Sequence, residues 1–151
     1  MMTVKEIIAP GLAYPPDFGS PTSLAIQAGG FVFVSGMIAW DANRHIVGGS
    51  DPYAQTVQAL QNMQATLREA GATFADVVKI TFYLTDIRHK SRVWEARKEI
   101  FAGARPSSTL VEVVHLGTAV ERRDVALAVV HHHDVLDRGE AGHQREQQRR
   151  E

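Results

Sequence analysis

Cysteine is absent from all 151 residues. That excludes disulfides, a thiolate nucleophile and any zinc site built on thiolates, and it accords with a cytoplasmic protein. No apolar run approaches the ~20 residues that a membrane-spanning helix needs. Residues 1–10 also lack the apolar core of a signal peptide. Neither sign of charge is in excess: 16 Lys and Arg against 17 Asp and Glu leave a net charge of −1. Without a basic stripe, nucleic acid and anionic membranes have no electrostatic hold on the chain, so neither is expected as a partner. Phosphate loops, nucleotide fingerprints, Ser-His-Asp motifs and internal repeats are missing too.

What is present is an apolar share of 44%, enough for one globular domain with a real core. That domain is expected over residues 1–133. From Asp134 the chain turns to Asp, Glu, Arg, Gln and Gly, so residues 134–151 are expected to form a disordered or loosely helical tail.

Along the domain, residues 4–9 form a candidate first strand closed by Pro10-Gly11, and residues 14–22 are loop by composition. Gly29-Gly30, between residues 23–28 and 31–35, signals a hairpin, because glycine supplies the positive φ that tight turns demand. Residues 37–40 are expected to continue the second strand past a bulge at Gly36. A helix follows, with Asp51 as N-cap, Pro52 at its first position and Gly71 at its end. Val57, Leu60, Met63 or Gln64, and Leu67 recur at helical spacing, with glutamines on the other side. Residues 77–85 read as a strand with Lys79, Thr81 and Tyr83 on one face and Val78, Ile80, Phe82 and Leu84 on the other. A second helix is expected over residues 90–101, with Val93, Trp94, Arg97 and Ile100 on one side and Gly103 helping to end it.

Residues 105–116 stand out. Arg105, Pro106, Ser107, Ser108 and Thr109 make a polar loop rich in hydroxyls, and a buried strand is expected from Leu110. Glu112 in that strand reads as a hydrogen-bonded structural carboxylate. After a turn at Gly117-Thr118, a last strand is expected over residues 124–132. The order hairpin, helix, strand, helix, strand, strand is that of an α+β fold, a sheet with helices on one face. The last strand is apolar on both sides, Val125, Leu127 and Val129 against Ala126, Ala128 and Val130, which leaves one side for a partner subunit to cover. His131-His132-His133 places only two imidazoles on one face with no carboxylate partner, so a strand end is preferred to a metal site.

Arg105-Pro106-Ser107-Ser108-Thr109-Leu110-Val111-Glu112-Val113-Val114-His115-Leu116 resembles the late signature of the Rid (YjgF-type) proteins, the reactive-intermediate deaminases. Its usual form is Pro-x-Arg-(Ser/Thr)-x-Val-Glu-Val-x-x-Leu. Three more blocks fit in order: Phe31-Val32-Phe33-Val34-Ser35-Gly36, Ala59-Leu60-Gln61-Asn62-Met63, and Asp76-Val77-Val78-Lys79-Ile80-Thr81 followed by Tyr83-Leu84-Thr85-Asp86. The likeness spans residues 9–130. It implies a chorismate-mutase-like α+β fold, a homotrimer with clefts between subunits, and cofactor-free hydrolysis of a small imine or enamine. In such sites an arginine grips the substrate carboxylate and a glutamate helps water attack the imine carbon.

The signature arginine is replaced here by Ser108, one hydroxyl in place of a guanidinium fork. At ~1.5–3 kcal/mol per hydrogen bond to a charged group, the loss weakens carboxylate binding unless another cation stands in. Arg105 is the nearest in sequence and reads either as that stand-in or as a solvated loop residue. The glutamate position falls on Arg123 in a gap-free match and on Asp124 with one residue of slip in the turn. Asp124 suits a base on water, Arg123 the stabilisation of negative charge, and either suits a polar cap on a strand. Ser35 and Gly36 match cleft positions, Thr109 follows Ser108 in the signature, and Thr22 stands where many relatives carry a tyrosine. Trp94 replaces a polar one, and reads as either pocket wall or core. The substrate expected is a small imine, enamine or tautomerisable metabolite. Cyclisation or isomerisation on the same scaffold, or metabolite binding without turnover, are the alternatives. A ribonuclease is disfavoured by the charge balance.

Overall fold

In the computed structural model, residues 3–116 and the backbone of residues 127–129 are described. Among them the chain runs β1 (Val4–Ile7), β2 (Ala25–Ala28), β3 (Phe31–Val34), α1 (Pro52–Glu69), β4 (Lys79–Leu84), α2 (Lys90–Phe101), β5 (Ser107–Glu112) and β6 (Leu127–Val129). This is the expected order and an α+β fold.

The strands make two three-stranded ladders, β1-β2-β3 and β5-β4-β6, where one mixed sheet was expected. The first is antiparallel throughout, and its hairpin closes between Ala28 and Phe31 with Gly29 at φ 58° and Gly30 at φ 81°. Both turn residues are therefore left-handed, as a two-residue hairpin matched to strand twist requires. In the second ladder β4 is central, parallel to β5 and antiparallel to β6. A parallel neighbour needs a crossover, and α2 supplies it.

Helix α1 starts where Asp51 accepts a hydrogen bond from the Tyr53 amide at 3.0 Å, with Pro52 at its first position. It stops at Gly71, whose φ of 74° lets the Ala72 amide turn back to the Leu67 carbonyl at 2.9 Å. Helix α1 packs on α2 and touches both β3 and β6, so it ties the ladders together. The core is built from Leu60, Met63 and Leu67 of α1, Ile80, Phe82 and Leu84 of β4, and Val93 and Phe101 of α2. No helix among the described residues is long and apolar enough to cross a membrane.

Four expectations need correction. Residues 37–40 are not strand beyond an isolated bridge between Trp40 and Ile46. Their carbonyls are taken by a side chain instead, since Asn62 Nδ2 donates to Ile38 O and Trp40 O, each at 2.9 Å. The glutamines of α1 are not all on its outer side: Gln55 is 1% exposed, its amide donating to the Gly49 carbonyl. Val78 lies before β4 and is exposed, so it does not share the buried face of Ile80, Phe82 and Leu84. Finally, β5 begins at Ser107 rather than Leu110 and is an edge, with Leu110 half-buried and Glu112 exposed. Pairing from Lys79↔Ser107 onward draws the hydroxyl-rich segment into the ladder. The glycine-turn residues Gly117 and Thr118, residues 130–133 and the tail from 134 lie outside the described residues.

Candidate functional site

Two cavities, which share no lining residue, take in Thr22, Ser35 and Gly36 on one side and Trp94 and Arg105 on the other. The first, about 540 Å³, is walled by the 12–24 loop and by the segment after β3; Thr22, Ser35, Gly36, Trp40, Arg44 and Asn62 line it. Ser35 closes β3: its amide donates to the Leu24 carbonyl at 2.9 Å and its hydroxyl to the Ser23 carbonyl at 2.6 Å. That leaves Oγ lone pairs, but no second proton, for a ligand. Thr22 shares a 2.8 Å hydrogen bond with Ser20. Trp40 Nε1 is buried and meets no acceptor among the described residues.

The second cavity, about 490 Å³, lies between α2 and the loop into β5, lined by Trp94, Arg97, Lys98, Phe101, Ala104 and Arg105 among others. Its shape follows from how α2 ends. Ala102 at φ 46° and Gly103 at φ 94° are consecutive left-handed residues that reverse the chain, so β5 runs back beside the helix it follows. Side chains one helical turn apart on α2, Trp94 and Arg97, then overlook the start of β5.

Arg97 is the residue that sequence reasoning missed. Its Nη1 donates to Ser108 Oγ at 2.8 Å, so a guanidinium occupies the neighbourhood of the position where the signature has its arginine. The group sits 4.9 Å from the Trp94 ring centroid, 5.4 Å from Phe101 and 5.5 Å from Phe82. Aromatic faces hold it there by cation–π attraction. Partial burial pulls its pKa below the ordinary arginine value, though guanidinium remains charged at any physiological pH. Among the described residues neither Arg97, Lys98 nor Arg105 pairs with a carboxylate. The available signal was Arg97's place on the packed stripe of α2 with Val93 and Ile100. A charge on such a stripe needs a reason, and the hydrogen bond across to Ser108 with the flanking aromatic rings supplies it.

The other residues divide. Trp94 is 37% exposed, edge-on to Phe82 at 6.3 Å, and forms cavity wall rather than core. Arg105 is exposed and lines the same cavity. Thr109 is turned away from Ser108 by strand alternation, and Lys79 Nζ donates to its hydroxyl at 2.5 Å. Glu112 accepts a hydrogen bond from the Ile87 amide at 2.6 Å, which fixes the turn before α2 and is a structural task. Arg123, Asp124 and His131 to His133 lie outside the described residues. No group of three or more His, Asp or Glu that could hold a metal comes together among the described residues.

The sequence model of the family described as Endoribonuclease L-PSP matches residues 16–128, which takes in all of the second cavity's lining and most of the first's. The chain belongs to this family, the YjgF or Rid type. A RutC family protein of Pyrococcus abyssi is 38% identical over 112 residues, 74% of this chain and 87% of that one. Among solved structures, a Rid-family protein of unknown function from Yersinia pestis is 30% identical with a TM-score of 0.72, covering 85% of this chain and 98% of its own. A protein of unknown function from Pseudomonas aeruginosa is 30% identical with a TM-score of 0.74, covering 89% and 94%. Within this family fold, Arg97 brings a cation to Ser108 from the neighbouring helix.

Proposed function

We propose that this Rid-type protein is a cofactor-free enzyme acting on a small imine or enamine, a hydrolytic deaminase with an altered substrate, at clefts between the subunits of a homotrimer. The observation that carries the reading is the second cavity: three cations, two aromatic rings and no acid among its lining residues, a place for a small anion with an apolar body. A single chain holds two separate half-sites, and apposing one subunit's Thr22–Ser35–Gly36 wall with its neighbour's Trp94–Arg97–Ser108 wall would complete three clefts. In the reaction, water forms a C–O bond to the imine carbon, both of its protons pass in turn to nitrogen, the C–N bond breaks, and ammonia leaves a ketone. Asp124 as base on that water, or Arg123 as stabiliser of negative charge, takes the glutamate position of the family, with Arg105, Ser108, Trp94 and Thr22 around the substrate. Cytoplasmic imines of this kind arise wherever a dehydratase or an oxidase acts on an amino acid.

Two measurements bear on this. Light scattering should give a mass of three times 16.6 kDa, and a monomer at micromolar concentration would remove the inter-subunit cleft. A panel of imines, generated in situ by an amino-acid oxidase, should lose ammonia at least about tenfold faster with the protein for one or more members, a barrier reduction of ~1.4 kcal/mol. The short 2-iminobutyrate should be among the slower ones. No acceleration for any member would favour metabolite binding without turnover.

A further inference from the structure

We infer that Arg97 is the anion-binding residue of this site and that it selects substrates whose anionic end adjoins an apolar, preferably aromatic, group; the inference rests on the functional reading above and sharpens it. Nη1 is committed to Ser108 Oγ at 2.8 Å. An arginine has five N–H donors, so four remain. Ser108, accepting from the cation, still carries its own O–H, and that proton is free to point at the same anion. Guanidinium and hydroxyl together make a two-residue clamp, with the charge on α2 and a second donor on β5. Such a clamp binds carboxylate more strongly than either group alone, since hydrogen bonds between charged groups are about twice as strong as neutral ones.

The surroundings choose what the anion is attached to. A guanidinium 4.9 Å from the Trp94 centroid and 5.4 Å from that of Phe101 is flanked by apolar surface rather than by solvating carboxylates. A ligand whose carboxylate reaches Arg97 has the half-exposed Trp94, in the wall of the same cavity, beside its neighbouring atoms. A methyl group covers little of that ring, a phenyl group much more. Arg97 and Trp94 are carried by the same helix one turn apart, so an anion held by Arg97 lies close to this ring. Lys98 and Arg105 line the same cavity but touch neither Ser108 nor the aromatic faces, so they raise the local potential without forming the clamp.

The test is binding of stable keto-acid probes by calorimetry: phenylglyoxylate, its uncharged methyl ester, and pyruvate. Wild type should bind phenylglyoxylate at least about tenfold more tightly than the ester and more tightly than pyruvate. Arg97→Gln should bring acid and ester within about threefold, Arg97→Lys should keep part of the preference, and Trp94→Ala should bring phenylglyoxylate and pyruvate together. Adding Ser108→Arg to Arg97→Gln should restore the preference for acid over ester, because charge returns to the same place from the strand. Melting curves check folding, and Arg97→Met, which keeps the packed stem, replaces Arg97→Gln if the latter is unstable. An acid-to-ester ratio that survives both Arg97→Gln and Arg97→Met overturns the inference. So does a ratio that falls only in Arg105→Ala or Lys98→Ala, or a wild type that binds neither acid. Loss of imine turnover with the acid preference intact would instead sink the enzymatic reading and leave Arg97 in its role.

Discussion

Replacing Asn62 with alanine is expected to destabilise the protein by ~2–4 kcal/mol and lower its melting temperature by roughly 10 °C. Asn62 is 7% exposed in the middle of α1, and its amide nitrogen donates to Ile38 O and Trp40 O at 2.9 Å each, while Oδ1 accepts from Gln58 at 2.8 Å. Alanine removes both donors and leaves buried carbonyls to pair elsewhere, each at ~1–3 kcal/mol. Gly36, Met37, Ile38 and Trp40 line the first cavity, as does Asn62 itself, so the change reaches the candidate site. Hydrogen exchange should show residues 36–40 opening faster, before the rest of the domain. An unchanged melting temperature would mean that the segment holds itself without α1.

Asn62 also explains why part of the fold was not legible in the sequence. Where local rules sufficed, they worked: Gly29-Gly30 marked the hairpin because its turn needs two positive φ values, and residues 90–101 matched α2 at both ends. Segment 37–40 carries an apolar pattern suited to a strand. It is nevertheless held by a side chain from a helix 22 and 24 residues away, a contact with no local signature. The site failed for the same reason. Ser108 was legible as a departure from a motif, but Arg97 lies 11 residues before it on another element. Only the tertiary fold, with α2 packed on α1 and β5 paired to β4, makes them neighbours. Thr109 was grouped with Ser108 by sequence proximity, yet adjacent strand residues face opposite ways.

Gly48→Ala is the second large effect expected, about 3 kcal/mol of destabilisation. At φ 89° the backbone is left-handed, which costs an L-residue ~1–2 kcal/mol. The new Cβ would also stand 2.7 Å from Ala54 Cβ and 3.0 Å from the Gln55 amide nitrogen, inside contact distance with the first turn of α1. Relieving that clash moves backbone, at ~1–3 kcal/mol more. Gln55 is the next residue to suffer, because its buried amide is aimed at the Gly49 carbonyl. Thermal melts of Gly48→Ala beside Gly49→Ala separate the two causes, since an added Cβ at Gly49 meets nothing within 4 Å. Equal losses in both variants would assign the cost to conformation and remove the packing argument.

The single hydrogen bond from Arg97 to Ser108 has a thermodynamic corollary. The bond spans two elements, α2 and β5, which only the left-handed pair Ala102 and Gly103 and a few further residues connect. An anion gripped by both residues can bind only when helix and strand are docked, so occupancy and docking are linked equilibria. A ligand present at a hundred times its dissociation constant would hold that docking by ~2.7 kcal/mol. The natural substrate therefore declares itself as whatever cellular anion raises the unfolding temperature of the unmodified protein and leaves that of Arg97→Gln where it was.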